Sequence, residues 1–210
     1  MSAQPYPDPP WHTHGRAFVQ PFLVDAREVE LPPGFEIVSV MGRAVGVLGL
    51  VEYTAPSPLE YAELVWLPCL VRAGGVRRYY VDKMYVDDAA SLAGGRELWA
   101  LPKQLARFDI GDGEAIVETE DGAVLELELS RRGPAPRVPF AGGTVQHGGD
   151  ELVLFKGSGN ALVSSGGLRV RSARGVDSWN AFASAKRLPA LGAALADFRI
   201  TMHPPRHVAV

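Results

Sequence analysis

Apolar and polar positions in this chain alternate with period two far more often than with period 3.6, and the breaks fall on glycine and proline. The clearest case runs from Glu114 to Leu129, where the segments AIVETE and AVLELEL flank Asp121-Gly122, a dipeptide that favours a type I′ hairpin turn. Leu125, Leu127 and Leu129 share one face of the second segment, and Glu126 and Glu128 share the other. Strands are predicted over Ala17–Asp25, Phe35–Val40, Val45–Tyr53, Glu60–Val71 and Val76–Val86. Pro21 marks an edge or a bulge in the first, and Gly74-Gly75 a hairpin connection between the last two. Leu152–Phe155, Asn160–Ser164, Leu168–Ser172 and Asp197–His203 read as further short strands. Helical signals are few. Asp87 or Asp88 is an N-cap for an Ala-rich stretch that Gly94-Gly95 is expected to stop, and Arg187–Leu195 reads as a short helix. Many short strands and one or two short helices predict a mainly β fold, an antiparallel barrel or sandwich.

With 210 residues, 47% of them apolar and 21% charged, the chain suits one globular domain, 16–210, preceded by a Pro-rich arm, 1–15. A formal charge of −3 with the two signs interspersed gives no footprint for nucleic acid. No segment reaches the roughly 18–20 apolar residues of a membrane span, and MSAQPYPDPPWHTHG has no signal-peptide pattern. The single cysteine, Cys69, excludes a disulfide within the chain and fits a cytoplasmic setting.

Metal and phosphate chemistry find little support. His12 and His14 lie in the arm, His203 and His207 flank two prolines, and no CxxC or HExxH occurs. Lys156-Gly157-Ser158-Gly159 lacks Walker spacing, and there is no GxSxG for a serine nucleophile. Attention therefore falls on Asp87–Phe108, where a lone lysine, Lys103, follows Leu98-Trp99-Ala100-Leu101-Pro102. Lysine is rarely buried without a partner. An ordinary lysine amine, with a pKa of about 10.4, is almost wholly protonated at neutral pH. Burial among apolar groups such as Trp99, Leu101 and Leu105 lowers that pKa and frees an amine to attack a ketone. A solvated lysine after a turn is the plain alternative.

Three further features make the pattern specific. Lys83-Met84-Tyr85-Val86-Asp87-Asp88 leads through Ala93-Gly94-Gly95-Arg96-Glu97 to Pro102-Lys103; Tyr61-Ala62-Glu63 lies about forty residues before the lysine; and Gly15-Arg16 opens a strand. In this order and spacing, over about Arg16 to Leu105, the chain resembles the acetoacetate decarboxylase family. The resemblance implies a β-barrel or cone, a Schiff-base lysine at Lys103 and a catalytic carboxylate at Glu63. It also implies a substrate-carboxylate guanidinium at Arg16, with Met84 and Leu101 beside the substrate. It implies no cofactor, a small oxo acid as partner and a homo-oligomer. Arg96 and Glu97 read as a scaffold ion pair. Departures are plain: Gln104 stands where the decarboxylases carry a second lysine, Leu101 replaces a common aromatic, and the place of their second glutamate falls near Leu48 and Gly49, so that carboxylate is absent. The expected function is a Schiff-base-forming lyase on a small oxo acid. The alternatives are a non-catalytic ligand-binding barrel or a non-covalent hydratase or cyclase using Glu63.

Overall fold

The computed structural model describes residues 6–209. Nine strands close into a barrel: β1 (Trp11–Asp25), β2 (Arg43–Thr54), β3 (Tyr61–Leu67), β4 (Lys83–Val86), β5 (Lys103–Ile110), β6 (Glu114–Thr119), β7 (Val124–Arg132), β8 (Gly157–Arg174) and β9 (Ala193–Met202). The order round the wall is β7-β6-β5-β4-β3-β2-β1-β9-β8, and pairing of β7 with β8 closes it. Closure removes the unpaired edges that an open sheet would present. The helix α1 (Ala89–Trp99) carries the chain from β4 to β5, so these two strands run parallel, with Met84 opposite Lys103. A parallel neighbour requires such a crossover; a hairpin cannot supply it. The other barrel pairings are antiparallel.

Alternation along the strands sorts side chains to two faces, each with its own apolar cluster. Leu48 and Leu50 of β2, Leu64 and Trp66 of β3, Tyr85 of β4 and Leu125 and Leu127 of β7 pack together on one face. Tyr53, Tyr61, Met84, Val86 and Phe198 pack on the other, where Trp99 of α1 and Trp11 meet edge to face at 4.8 Å between ring centroids. The paired register puts Glu63 opposite Val86 and Lys103 opposite Met84, so both charged residues share this second face.

Several elements differ from the sequence reading. The first strand begins at Trp11, inside the stretch read as an arm, because Trp11 and Thr13 pair with β9 and are buried; residues 1–5 of that arm lie outside the described residues. Pro21 is tolerated within β1 because the strand changes partners there, from β9 at Val19 to Lys186–Arg187 at Phe22. Pro68 splits the run Glu60–Val71 into β3 and a separate strand, Cys69–Ala73. Asn160–Ser164 and Leu168–Ser172 are parts of one long strand, β8. The helix expected over Arg187–Leu195 is a single 3-10 turn, Pro189–Leu191, followed directly by β9, since proline cannot sit inside an α-helix. In the β6–β7 hairpin Gly122 (φ 89°) is left-handed but Asp121 is not, and Gly122 N–H donates to Thr119 O at 3.0 Å. That is the three-residue hairpin loop ending in a left-handed glycine rather than a type I′ turn. Gly94 and Gly95 do not stop α1; they sit inside it, and Ala100 (φ 51°) caps the helix instead.

Candidate active site

Lys103 opens β5 and is 3% exposed. Its Nζ lies 2.9 Å from Glu63 Oε2 and donates to Ser91 Oγ at 2.8 Å. The Tyr61 ring centroid is 5.0 Å from Nζ, within cation–π range. Each contact has a local cause. Asp88 accepts the Ser91 N–H at 2.6 Å, capping α1 and fixing Ser91 in its first turn. Arg96 Nε donates to the Lys103 carbonyl at 2.7 Å, tying the helix to the start of β5. Gly95 lets the lysine stem lie against the helix: a Cβ there would stand 2.5 Å from Lys103 Cδ and 2.6 Å from Cε. Gly94 does the same for Trp11, whose ring would be 2.8 Å from an added Cβ. Arg96 and Glu97 are therefore scaffold residues, but not as the ion pair expected; Glu97 accepts from Tyr6 Oη at 2.6 Å.

The pair Lys103–Glu63 is the one ion pair among the described residues with both side chains less than a tenth exposed. Its electrostatics correct the sequence reading. Burial alone pushes the ammonium pKa down, but the Glu63 carboxylate and then Tyr61 outweigh it, so the net shift of Lys103 is upward. A dry site does not by itself free the amine when a carboxylate sits in hydrogen-bond contact. Tyr53 donates to Glu63 Oε1 at 3.4 Å and stacks on Tyr61 at 4.4 Å. Burial pushes Tyr61 up to about 12, with Lys103 opposing the shift. Both phenols stay protonated at neutral pH.

These groups border an enclosed cavity of about 90 Å³, whose wall is otherwise mainly apolar: Trp11, Met84, Trp99, Leu101, Phe155 and Met202, with Thr144. At about 30 Å³ per water this is room for only a few waters. A larger depression of about 560 Å³, beside Glu28, Asp82 and Asp177, opens to solvent and has no lysine or arginine in its lining, so size alone does not mark the chemistry. The structure thus brings together Lys103, Glu63, Met84 and Leu101. It does not bring Arg16. Alternation along β1 buries Trp11, Thr13 and Ala17 and turns Arg16 outward, where the guanidinium grips Glu52, its neighbour in register on β2, at 2.5 and 3.0 Å. Sequence reasoning missed Ser91, Tyr53 and Thr144. Ser91 was findable three residues past its Asp88 cap and Tyr53 by its alternation on β2, whereas Thr144 sits in a loop with no pattern to mark it. Among the described residues no group of three or more His, Cys, Asp or Glu side chains could hold a metal.

Comparison with known proteins identifies the family and the fold. Residues 2–188 match the family model for acetoacetate decarboxylase (ADC). Acetoacetate decarboxylase 3 of Mesorhizobium japonicum is 52% identical over 50 residues, which is 23% of this chain and 20% of that protein. The match thus spans only about a fifth of that relative's length. Two solved structures share the fold: acetoacetate decarboxylase of Legionella pneumophila (TM-score 0.64, 17% identity, 100% of this chain and 92% of that one) and the enduracididine biosynthesis enzyme MppR complexed with pyruvate (TM-score 0.61, 19% identity, 98% and 93%). With the family model matching nearly the whole length of a closed β-barrel built around a buried lysine, the chain belongs to the acetoacetate decarboxylase family.

Proposed function

We propose that this protein is a lyase that binds a small oxo acid in the 90 Å³ cavity and holds it as an imine on Lys103. The observation that carries the reading is the buried contact between Lys103 Nζ and Glu63 at 2.9 Å inside a closed, largely apolar pocket. Glu63 takes one proton from the ammonium, and the neutral amine adds to the ketone carbon. One N–H proton passes from the nitrogen to the new alkoxide, giving the neutral carbinolamine; Glu63 then returns its proton to that hydroxyl, which leaves as water while the nitrogen lone pair forms the C=N bond of the iminium. The resulting iminium accepts the electron pair released when a neighbouring C–C bond breaks, by loss of CO2 or by an aldol-type cleavage. Pyruvate bound to MppR supports the choice of a small oxo acid.

Incubation with pyruvate or acetoacetate followed by borohydride is expected to add mass at Lys103, located by peptide mass spectrometry, and to add none in Lys103→Ala. Absence of trapping across a panel of oxo acids sinks the imine.

A second reading rests on the 2.9 Å contact itself, because a carboxylate that close favours the charged form of Lys103. There the lysine stays an ammonium that anchors the substrate, and Glu63 acts as the base of a hydratase or cyclase without a covalent step. Absence of trapping together with saturable oxo-acid binding is the outcome that favours it.

The proposal includes assembly as a homo-oligomer in the cytoplasm. Val40 and Met41 are 74% and 98% exposed, an apolar tip suited to a second copy. Cys69 is buried and its thiol is pushed up to about 12 by burial, so it needs no oxidising compartment. Light scattering at micromolar concentration is expected to give a multiple of 22.6 kDa; a monomer overturns that part.

A further inference from the structure

Lys103 Nζ meets two acceptors among the described residues, Glu63 and Ser91, and of these only Glu63 borders the cavity. The reaction proposed above uses Glu63 and leaves Ser91 without a part. We propose that Ser91 is a positioning residue that keeps one N–H of Lys103 from the ammonium through to the iminium, and so fixes the direction in which the C=N bond is made; the assignment deepens the function proposed above and rests on it.

The fold places Ser91 for this contact. It is fully buried in the first turn of α1, with its backbone N–H held by Asp88. Residues four apart on a helix are neighbours on one face, so Ser91 and Gly95 stand one above the other. The lysine stem passes over Gly95, where an added Cβ would meet Cδ and Cε, and its head ends on the Ser91 hydroxyl at 2.8 Å. An ammonium has only protons to offer, so Ser91 Oγ accepts. Burial raises the pKa of Tyr61, and Lys103 and Ser91 pull it back, so the Ser91 hydrogen is directed at that phenol and away from the nitrogen's lone pair.

The protons can be followed one by one. The ammonium carries three and the iminium one. Glu63 removes the first and the alkoxide takes the second, and both end on the departing water. The third stays on the nitrogen, in its hydrogen bond to Ser91. A hydroxyl suits this place because it accepts a hydrogen bond without taking the proton, as a second carboxylate would. An iminium nitrogen holds its three substituents in one plane. Gly95 fixes Cε and Ser91 fixes the proton, so the bond to the substrate carbon has one direction left. Without the Ser91 hydroxyl the C=N plane turns about the Cε–Nζ bond.

Borohydride reduction of a pyruvate imine creates a stereocentre at the former ketone carbon. The ratio of the two epimers of the carboxyethyl-lysine records which face of the C=N bond was exposed. The full chain, Ser91→Ala and Ser91→Cys are each treated with pyruvate and borohydride, and the ratio is read by chiral chromatography after hydrolysis. Wild type is expected to give one epimer in excess. Ser91→Ala is expected to lower that excess by about tenfold, the factor that follows from losing a hydrogen bond to a charged group. Ser91→Cys, whose sulfur is a weak acceptor, is expected to fall between them. Rate alone does not decide, because removing an acceptor of the ammonium also frees the amine. The Asp88 cap is made to the backbone N–H, so α1 is expected to stay intact in both variants. A wild-type ratio near one, or a ratio unchanged in Ser91→Ala, overturns the assignment and leaves the imine standing. If wild-type Lys103 traps no oxo acid, the imine reading fails and the assignment fails with it.

Discussion

Lys103→Met is expected to lower the stability of the fold by about 3 kcal/mol, because it strands the Glu63 carboxylate in a dry pocket without its partner. For a chain of this size that corresponds to a fall in melting temperature of roughly 6–12 °C. The double variant Lys103→Met/Glu63→Leu is expected to recover most of the loss, since removing both charges also removes the cost of keeping them from water. A single variant as stable as the wild type would show that Glu63 finds another partner or water. The pH dependence follows from the direction of the shift. The folded pKa of Lys103 lies above its unfolded value of about 10.4. The stability it contributes is therefore complete below about pH 10.4 and is lost as pH rises through the higher folded value. The gap in melting temperature between wild type and Lys103→Met should stay constant from neutral pH to about pH 10 and narrow above it. A gap that narrows between pH 7 and 9 contradicts the upward shift.

Gly95→Ala is the second large effect, and its sign runs against helix propensity. Inside an exposed helix this change stabilises by about 1 kcal/mol. Here the added methyl meets the lysine stem at 2.5 and 2.6 Å, so either the side chain or α1 must move, and the ammonium leaves Glu63 and Ser91. Misplacement of a reacting group by about 1 Å costs on the order of a hundredfold in rate. The expected result is imine trapping slowed by about that factor, without gain in melting temperature. Gly94→Ala serves as the comparison. Its methyl meets Trp11 instead of the lysine, so it should lower stability while slowing trapping much less. Unimpaired trapping with a raised melting temperature in Gly95→Ala defeats the argument.

What could be read from the sequence was whatever depends on neighbours in the chain. The Leu125–Leu127–Leu129 face, the Asp88 cap and the apolar setting of Lys103 are local patterns, and the structure keeps all three. What could not be read depends on register between distant segments. Arg16 alternates with Ala17 on β1 and is held by Glu52, a partner set by the pairing of β1 with β2 that residues 14–17 do not announce. The direction of the lysine's pKa shift was misjudged for the same reason. The apolar run before Lys103 is visible in sequence, but the distance from Glu63 is set by β4 lying between their two strands. Gly94-Gly95 carried an ambiguous signal: glycine ends helices by its backbone freedom, but here its lack of a side chain is what matters.

The crossover between β4 and β5 has a consequence for how such a protein diversifies. Both ends of α1 are moored on adjacent staves of the barrel, so residues 87–102 form a cassette that can be exchanged without reopening the wall. Grafts of this segment between relatives would change what surrounds the Lys103 nitrogen and leave Glu63 in place on β3. New chemistries in this architecture can then arise by swapping one short insert, with the barrel inherited whole.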